Sequence, residues 1–309
     1  MKIDVVIPAY NAGAFIIQAL ESVAQQTLPP VSIIVVDDGS LDDTAELVRR
    51  FADAHPTQKI LLVSQPNKGI SGARNAGLKV ATSEFVALLD ADDLWKPEKL
   101  ERQAALFMRE GAEKLGIVYC DYQLIDEKGS MLQTRHHVSP RLRGRVRQEL
   151  RKSNRISGSA SAVLIRSSVL NDVGLFDEAL VCCEDWDLWL RISQGWEFDY
   201  APQTLVCIRR HSQSIQLDNR KMLEGDLRIA LKLSDEGSLS TRLWLSLLGR
   251  MRFLSIQLAD FSNCRPGEQA TRLRFSPPMV LSLGSLVMTA RHLRKFVDDC
   301  LRRWGLREY

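Results

Sequence analysis

The segment Val31–Thr44, VSIIVVDDGSLDDT, joins an apolar run to an acidic turn and then to the first residues of an amphipathic helix. A near-continuous apolar run is what a strand covered on both faces looks like; a half-solvated strand would alternate. The Asp-Asp-Gly-Ser that follows is turn chemistry. The same order recurs on either side. Upstream, Ile3–Ile7 leads into Pro8-Ala9-Tyr10-Asn11 and a helical pattern near 15–25. Downstream come a helix near 43–54, an apolar stretch at 59–64, a helix from about Gly69 to Val80 and the run Phe85–Leu89. This βαβα rhythm predicts an α/β fold with a mostly parallel central sheet covered by helices. In open sheets of that kind ligands bind beyond the carboxyl ends of the strands. The residues there are polar: Asn11, then Asp37-Asp38-Gly39-Ser40, then Gln65-Pro66-Asn67-Lys68-Gly69, then Asp90-Ala91-Asp92-Asp93.

Beyond Leu100 the pattern predicts a helix to about Arg109 and a strand near 116–122. Residues 129–156 carry ten Lys, Arg or His side chains in two clusters with few apolar anchors, and read as a mobile basic loop. The pattern resumes at 159–165, passes a turn at 172–177, and reaches Glu184-Asp185 at the head of a helix over 186–192. From about Leu217 onward the pattern is helical. Its last segment places Met279, Leu283, Leu286, Ala290, Leu293, Val297, Cys300 and Trp304 at alternating spacings of four and three. A domain at 1–216, dividing at about residue 100, is therefore expected. A helical C-terminal region follows at 217–309.

Composition narrows the class. With 309 residues, 45% hydrophobic and 26% charged, the chain is neither disordered nor a disulfide-stapled miniprotein. Residues 1–219 carry 25 basic against 29 acidic side chains, whereas residues 220–309 carry 16 against 9, so the net charge of +3 conceals a basic tail. Six cysteines without C-x-x-C spacing point to a reducing compartment. No secretory signal or apolar run of about 20 residues is present, which makes a cytoplasmic location the expectation.

Three acidic groups, Asp37-Asp38, Asp90-x-Asp92-Asp93 and Glu184-Asp185, would gather at one rim of the sheet. Each taken singly reads equally well as a helix cap or solvated turn. Three together repel one another unless a cation or hydrogen-bond donors compensate. Asp-x-Asp-Asp closing a buried strand suits Mn²⁺ or Mg²⁺, held by carboxylates together with substrate phosphates. Lys68 and Arg74, with Gly69, Gly72 and Gly77 permitting close backbone approach, would add donors for a diphosphate. There is no G-x-x-x-x-G-K-[ST] loop and no G-x-G-x-x-G after the first strand, which argues against an NTPase or a dinucleotide-binding dehydrogenase.

The stretches VIPAYN (6–11), VVDDGSLDDT (35–44), NKGISGARNAG (67–77), LLDADD (88–93), GLFDEAL (174–180), EDWDLWLR (184–191) and RRHSQS (209–214) resemble, in order, the family 2 glycosyltransferases. The resemblance covers about residues 1–215. It implies a GT-A nucleotide-sugar-binding fold and inverting transfer of a sugar from a nucleotide-sugar donor, UDP being the commonest, to a glycan or lipid-linked acceptor. Its roles fall on Pro8, Ala9, Tyr10, Asn11, Asp37, Asp38, Gly69, Arg74, Ala91 and Asp92 for the nucleotide, with Arg74 facing the base or diphosphate. Asp93 and His211 fall at the metal, Asp185 at the general base, and Glu184 beside the acceptor pocket. Trp186 and Trp189 are candidates for stacking on an acceptor sugar, with core packing as the competing reading. The Q-x-x-R-W element and membrane spans of the processive synthases are missing, which favours a transferase adding one or a few sugars, with bacterial surface polysaccharide as the implied setting.

Nucleotidyl transfer would want a Gly-, Arg- and Lys-bearing loop after the first strand, which VIPAYNAG is not. A binding or scaffold protein of the same fold without transferase activity is the alternative. The basic final helix has three readings, ranked as packing on the catalytic domain, self-association into a homo-oligomer, and peripheral binding of residues 277–309 to anionic membrane. No nucleic-acid motif accompanies its charge.

Overall fold

In the computed structural model, residues 1–132, 141–156, 159–211, 219–237 and 243 are described. The chain divides into two compact units, one of residues 1–150 with 154–214 and one of 151–153 with 215–309. In the first, β1 (Ile3–Ala9), β2 (Ser32–Asp37), β3 (Ile60–Ser64) and β4 (Phe85–Leu88) alternate with α1 (Ile16–Ala24), α2 (Thr44–Ala54) and α3 (Gly69–Val80). Next come β5 (Leu94–Trp95), α4 (Lys99–Phe107), β6 (Leu115–Ile125), the short turn of helix α5 (Arg147–Leu150), β7 (Val163–Arg166), α6 (Ser167–Val173), α7 (Glu184–Ile192) and β8 (Glu197–Arg209).

The strands form one sheet in the order β3-β2-β1-β4-β7-β6-β8-β5. Its first four members are parallel, and β6 runs parallel to β8. The pairs β4/β7, β6/β7 and β5/β8 are antiparallel. Parity along β1 shows why its run is continuous. Ile3, Val5 and Ile7 join Ile16, Leu20 and Val23 of α1, Val48 and Phe51 of α2 and Leu100 of α4 in one core. Val6 points the other way, toward α3, so both faces of the strand are covered and every residue of β1 is buried.

Gly77 sets how closely α3 approaches. A Cβ there would lie 2.3 Å from Val6 Cγ1 and 3.2 Å from Val36 Cγ2. Asp4, also buried, fastens the strand starts: its carboxylate accepts from Ser32 Oγ at 2.6 Å and from the Thr82 and Ser83 amides at 2.8 Å each. These donors hold its pKa below the ordinary value against the opposing effect of burial.

Several elements differ from the sequence expectation. β8 was not anticipated, because EFDYAPQTLVCIR mixes polar residues and Pro202 into its apolar positions. Pairing with β6, through register shifts near Asp121, supplies what periodicity did not. α6 was also missed; Gly174, at φ 80°, ends it and starts the expected turn. The basic stretch is only partly a loop. Residues 133–140 and 157–158 lie outside the described residues, but Val146, Leu150 and Ile156 are buried, and Gly144 exchanges backbone hydrogen bonds with Phe198. Its arginines are used locally, Arg147 donating to Leu190 O and Arg143 pairing with Asp199.

In the second unit the described helix is α8 (Asn219–Asp235), which buries Leu223, Leu227, Ala230 and Leu233 along one side. The expected final helix and its membrane or self-association readings lie outside the described residues. Among the described residues no helix is long and apolar enough to cross a membrane.

Gly77→Ala should lower stability by up to about 2 kcal/mol, the ~1–3 kcal/mol of overpacking being only partly offset by the ~1 kcal/mol gain in helix propensity. Urea unfolding followed by circular dichroism checks this, and a gain in stability would contradict the close α3 contact.

Candidate active site

The ends of β1, β2 and β4 bring the predicted donor residues to one edge. Pro8 and Ala9 are buried within the strand, and Tyr10 is half exposed at the rim. Asn11 takes a positive φ of 48°; its amide donates to Ser40 Oγ and its Oδ1 accepts from Leu41 N at 2.8 Å. With Ala12 N donating to Thr44 Oγ1 and Gly13 N to Asp42, the loop after β1 is fastened to the loop after β2. Asp37 caps its own turn through Ser40 N. Asp38 is 2% exposed, and its Oδ1 accepts from Gln65 Nε2 at 2.6 Å and from Lys68 N at 2.9 Å. Gly39 and Gly69 both have φ near +75°. At Gly39 a Cβ would also meet Asn67 N at 2.9 Å, so this crossing requires glycine.

After β4, three carboxylates in four residues find three kinds of partner. Asp90 accepts from Arg74 Nη2 at 2.7 Å. Asp92, about one third exposed, lies 2.9 Å from His211 Nε2 through its Oδ2. Asp93 is 2% exposed and turned inward, Oδ2 accepting from Ser161 Oγ at 2.6 Å and Oδ1 from Arg209 N at 3.0 Å. Burial first, then the neighbouring carboxylates, push the pKa of Asp92 up and that of Asp93 well up. The sequence expectation put the metal on Asp93 and His211. Both Asp93 oxygens are committed to protein donors, and the carboxylate in contact with His211 is that of Asp92. Ala91 between them is buried.

α7 presents Glu184 and Asp185 from its first turn. Asp185 Oδ1 accepts from Trp186 N at 2.6 Å, and both its oxygens lie 3.4 Å from Asn154 Nδ2. Burial and the adjacent Glu184 raise its pKa, Arg74 opposes them, and the result is about 7. Glu184 is buried and accepts from Arg74 Nη1 at 2.5 Å. Arg74, expected to face the base or diphosphate, is itself 2% exposed and spans Asp90 and Glu184. Glu184, expected beside the acceptor pocket, thus has an internal partner in Arg74.

The tryptophans are a second correction. Trp186 is 3% exposed with Nε1 donating to Leu150 O at 2.8 Å, and Trp189 is fully buried. Both lie on the inward side of α7, so neither has a ring face open to a sugar. Residues that the sequence reading missed do contribute. Arg209 Nε donates to Asp92 O, its Nη groups to Asp126 O, Glu127 O and Gln18 Oε1, and its guanidinium lies over Phe15. Ser161 serves Asp93 and also accepts from Asp90 N. Arg209 stood within the quoted RRHSQS stretch without a role; Ser161 and Asn154 carry no local signal. Among the described residues the non-glycine positions with positive φ are Asn11, Ser159 and Cys183. They adjoin, in turn, the β1 rim, Asp90 and Glu184-Asp185, which places backbone strain around this edge.

Comparison with known proteins gives a consistent picture. The sequence model described as Glycosyl transferase family 2 matches residues 4–174. An uncharacterized glycosyltransferase of Rickettsia typhi is 34% identical over 215 residues, 68% of this chain and 64% of that protein. The UDP-Glc:alpha-D-GlcNAc-diphosphoundecaprenol beta-1,3-glucosyltransferase WfgD of Escherichia coli is 28% identical over 222 residues, covering 72% of this chain and 81% of that protein. The mannosyltransferase PcManGT of Pyrobaculum calidifontis, in complex with GDP-Man and Mn²⁺, superposes with a TM-score of 0.65 over 99% of this chain and 88% of its own. At 18% identity that likeness is one of fold. The chain spans 34% of the length of a Rickettsia felis relative and 64% of the Rickettsia typhi one. With the family's sequence model matched over more than half of its residues, and a relative above 30% identity across more than two thirds of it, the chain belongs to glycosyl transferase family 2.

Proposed function

We propose that the chain is an inverting, metal-dependent glycosyltransferase that moves a sugar from a nucleotide-sugar donor, a UDP-sugar in the first instance, to a hydroxyl of a glycan or lipid-linked acceptor in bacterial surface polysaccharide assembly. The observation that carries this reading is the pairing, at one sheet edge, of an Asp92–His211 couple with an aspartate near pKa 7 at the head of α7. The nucleotide-sugar donors and the lipid-linked acceptor named for WfgD and PcManGT support the substrate classes.

In this reading the half over residues 1–100 takes the nucleoside, between Tyr10 and the loop after β2 with Asp38 buried behind it, and the half over 101–216 takes the acceptor. Asp92 and His211 are the residues that would hold Mn²⁺ or Mg²⁺. Carboxylate paired with imidazole, in a cluster where neighbouring acids repel one another, suits such an ion. Bound there, the ion would neutralise charge on a departing diphosphate. Asp185 accepts the proton of the acceptor hydroxyl as its oxygen bonds to the anomeric carbon and the bond from that carbon to the nucleoside diphosphate breaks. A base poised near neutrality is matched to that task. Asn154 and the Trp186 amide hold its carboxylate in place.

Two outcomes test this. In calorimetry with UDP, GDP, dTDP and CMP, one nucleotide should bind with Mn²⁺ and lose the metal-dependent part of its affinity in Asp92→Asn. Asp93→Asn should instead cost stability, ~1–3 kcal/mol for disturbing a buried hydrogen-bonded carboxylate. Equal binding in excess chelator would defeat the metal assignment.

Asp185→Asn should slow transfer by ~10²–10⁴-fold with nucleotide affinity retained. In the wild type, kcat/KM should fall as pH drops below about 7, where Asp185 takes up a proton. Transfer by Asp185→Asn at the wild-type rate would remove the proposed base.

A further inference from the structure

The segment 176–183, between α6 and α7, belongs to no helix or strand, yet it delivers Glu184 and Asp185 to the site. Its path is set largely from α3. Ser71 Oγ donates to Leu180 O at 3.3 Å. Asn75 Nδ2 donates to Phe176 O and to Glu178 Oε1, each at 2.9 Å, while its Oδ1 accepts from Phe176 N at 2.9 Å. Between them Arg74 lies 5.3 Å from the Phe176 ring centre and divides its two Nη groups between Glu184 and Asp90. Residues 71, 74 and 75 are spaced three and four apart, so one face of one helix makes all of these contacts. The segment ends at Cys183, whose φ of 61° turns the chain into α7.

We propose that this face of α3 is the element that registers the general base against the donor-side carboxylates, with Arg74 as a positioning residue that sets both the place and the charge state of Asp185. The proposal rests on the glycosyltransferase reading above. Arg74 holds the carboxylate of Glu184, the immediate neighbour of Asp185, and its charge counters the repulsion that Glu184 exerts on the base. Asp185 is held by two neutral donors, Asn154 Nδ2 and the Trp186 amide, and the next acid on α7, Asp187, is paired with Arg191. Two opposed charges, Glu184 and Arg74, therefore act on the base. Because Arg74 also holds Asp90, the position of the base is tied to the loop that carries Asp92.

The test compares Arg74→Met, Arg74→Lys and Glu184→Gln for kcat, donor and acceptor KM, nucleotide affinity by calorimetry, and the pH dependence of kcat/KM. Arg74→Met should lower kcat by ~10²-fold, the scale of a small misplacement of a reacting group, with nucleotide affinity nearly unchanged. Its acid limb should move to higher pH, because the counter-charge is gone. Glu184→Gln should move the limb to lower pH, since one repelling charge is removed while the amide oxygen still accepts from Arg74. Arg74→Lys should return the limb toward wild type while kcat stays reduced, because an ammonium keeps the charge and loses the fork.

A general packing defect would not displace the limb in opposite directions. If Arg74→Met fails to fold, the downward shift in Glu184→Gln still decides. Limbs unmoved in both variants, or a loss confined to nucleotide affinity, would overturn the proposal while an inactive Asp185→Asn left the transferase reading intact. Full transfer by Asp185→Asn would overturn both.

Discussion

Three carboxylates at the end of one buried strand cannot be left uncompensated, and the way β4 resolves this organises the rest of the site. Asp90 takes a buried guanidinium from α3, Asp92 an imidazole from the segment after β8, and Asp93 a hydroxyl from the turn before β7 together with an amide of β8. Each solution recruits a different part of the chain. The repulsion that makes the cluster costly alone is thus what ties α3, β7 and β8 to the same point, since removing any one partner leaves an acid of the cluster uncompensated. Arg209 carries the principle furthest. It binds the backbone of Asp92 and of residues 126–127 together with the side chain of Gln18, so the β8 end cannot shift without breaking bonds to three other segments.

The parallel half of the fold was legible because its physics is local. A strand buried on both faces must be mostly apolar, and β1, β2 and β4 are, the exceptions Asp4, Ser32 and Asp37 being hydrogen-bonded or at strand ends; a helix that follows must start after turn chemistry, and Asp37–Ser40 supplies it. The antiparallel half was less legible because its strands draw stability from partners far along the chain. β8 reads poorly on its own yet pairs along much of β6. The arginines of 141–156 look like a solvated run until Arg147 is seen spending its donors on Leu190 O. Their apolar partners, Val146 and Leu150, are four apart, but two such residues are too few to stand out beside so many cations.

In the site, the kinds of residue were legible and their division of labour was not. An acidic triplet, a late histidine and an acid pair on a helix point to cation-assisted chemistry. Which of Asp92 and Asp93 looks outward depends on where Ser161 and Arg209 come to rest, and those contacts span 68 and 116 residues. The tryptophans show the same limit from the other side. On an amphipathic helix an aromatic residue is core or ligand contact according to rotation about the axis, and α7 is turned so that both rings lie inside.

The remaining question is why the proposed base should sit beside another acid. Burial alone would raise Asp185, but by an amount fixed by its depth. Glu184 adds repulsion and Arg74 subtracts it, so the balance is set by a pair of charges whose separation the fold controls. Such a pair is more sensitive than solvent exposure to small movements of α3, because interactions at 2.5–2.7 Å in a poorly screened interior change steeply with distance. A helix whose approach to the sheet is limited by Gly77 against Val6 is well suited to hold that separation constant. The glycine that lets α3 pack closely and the arginine three residues before it are then parts of one device, the first fixing the distance of the helix from the strands and the second converting that distance into the basicity of Asp185.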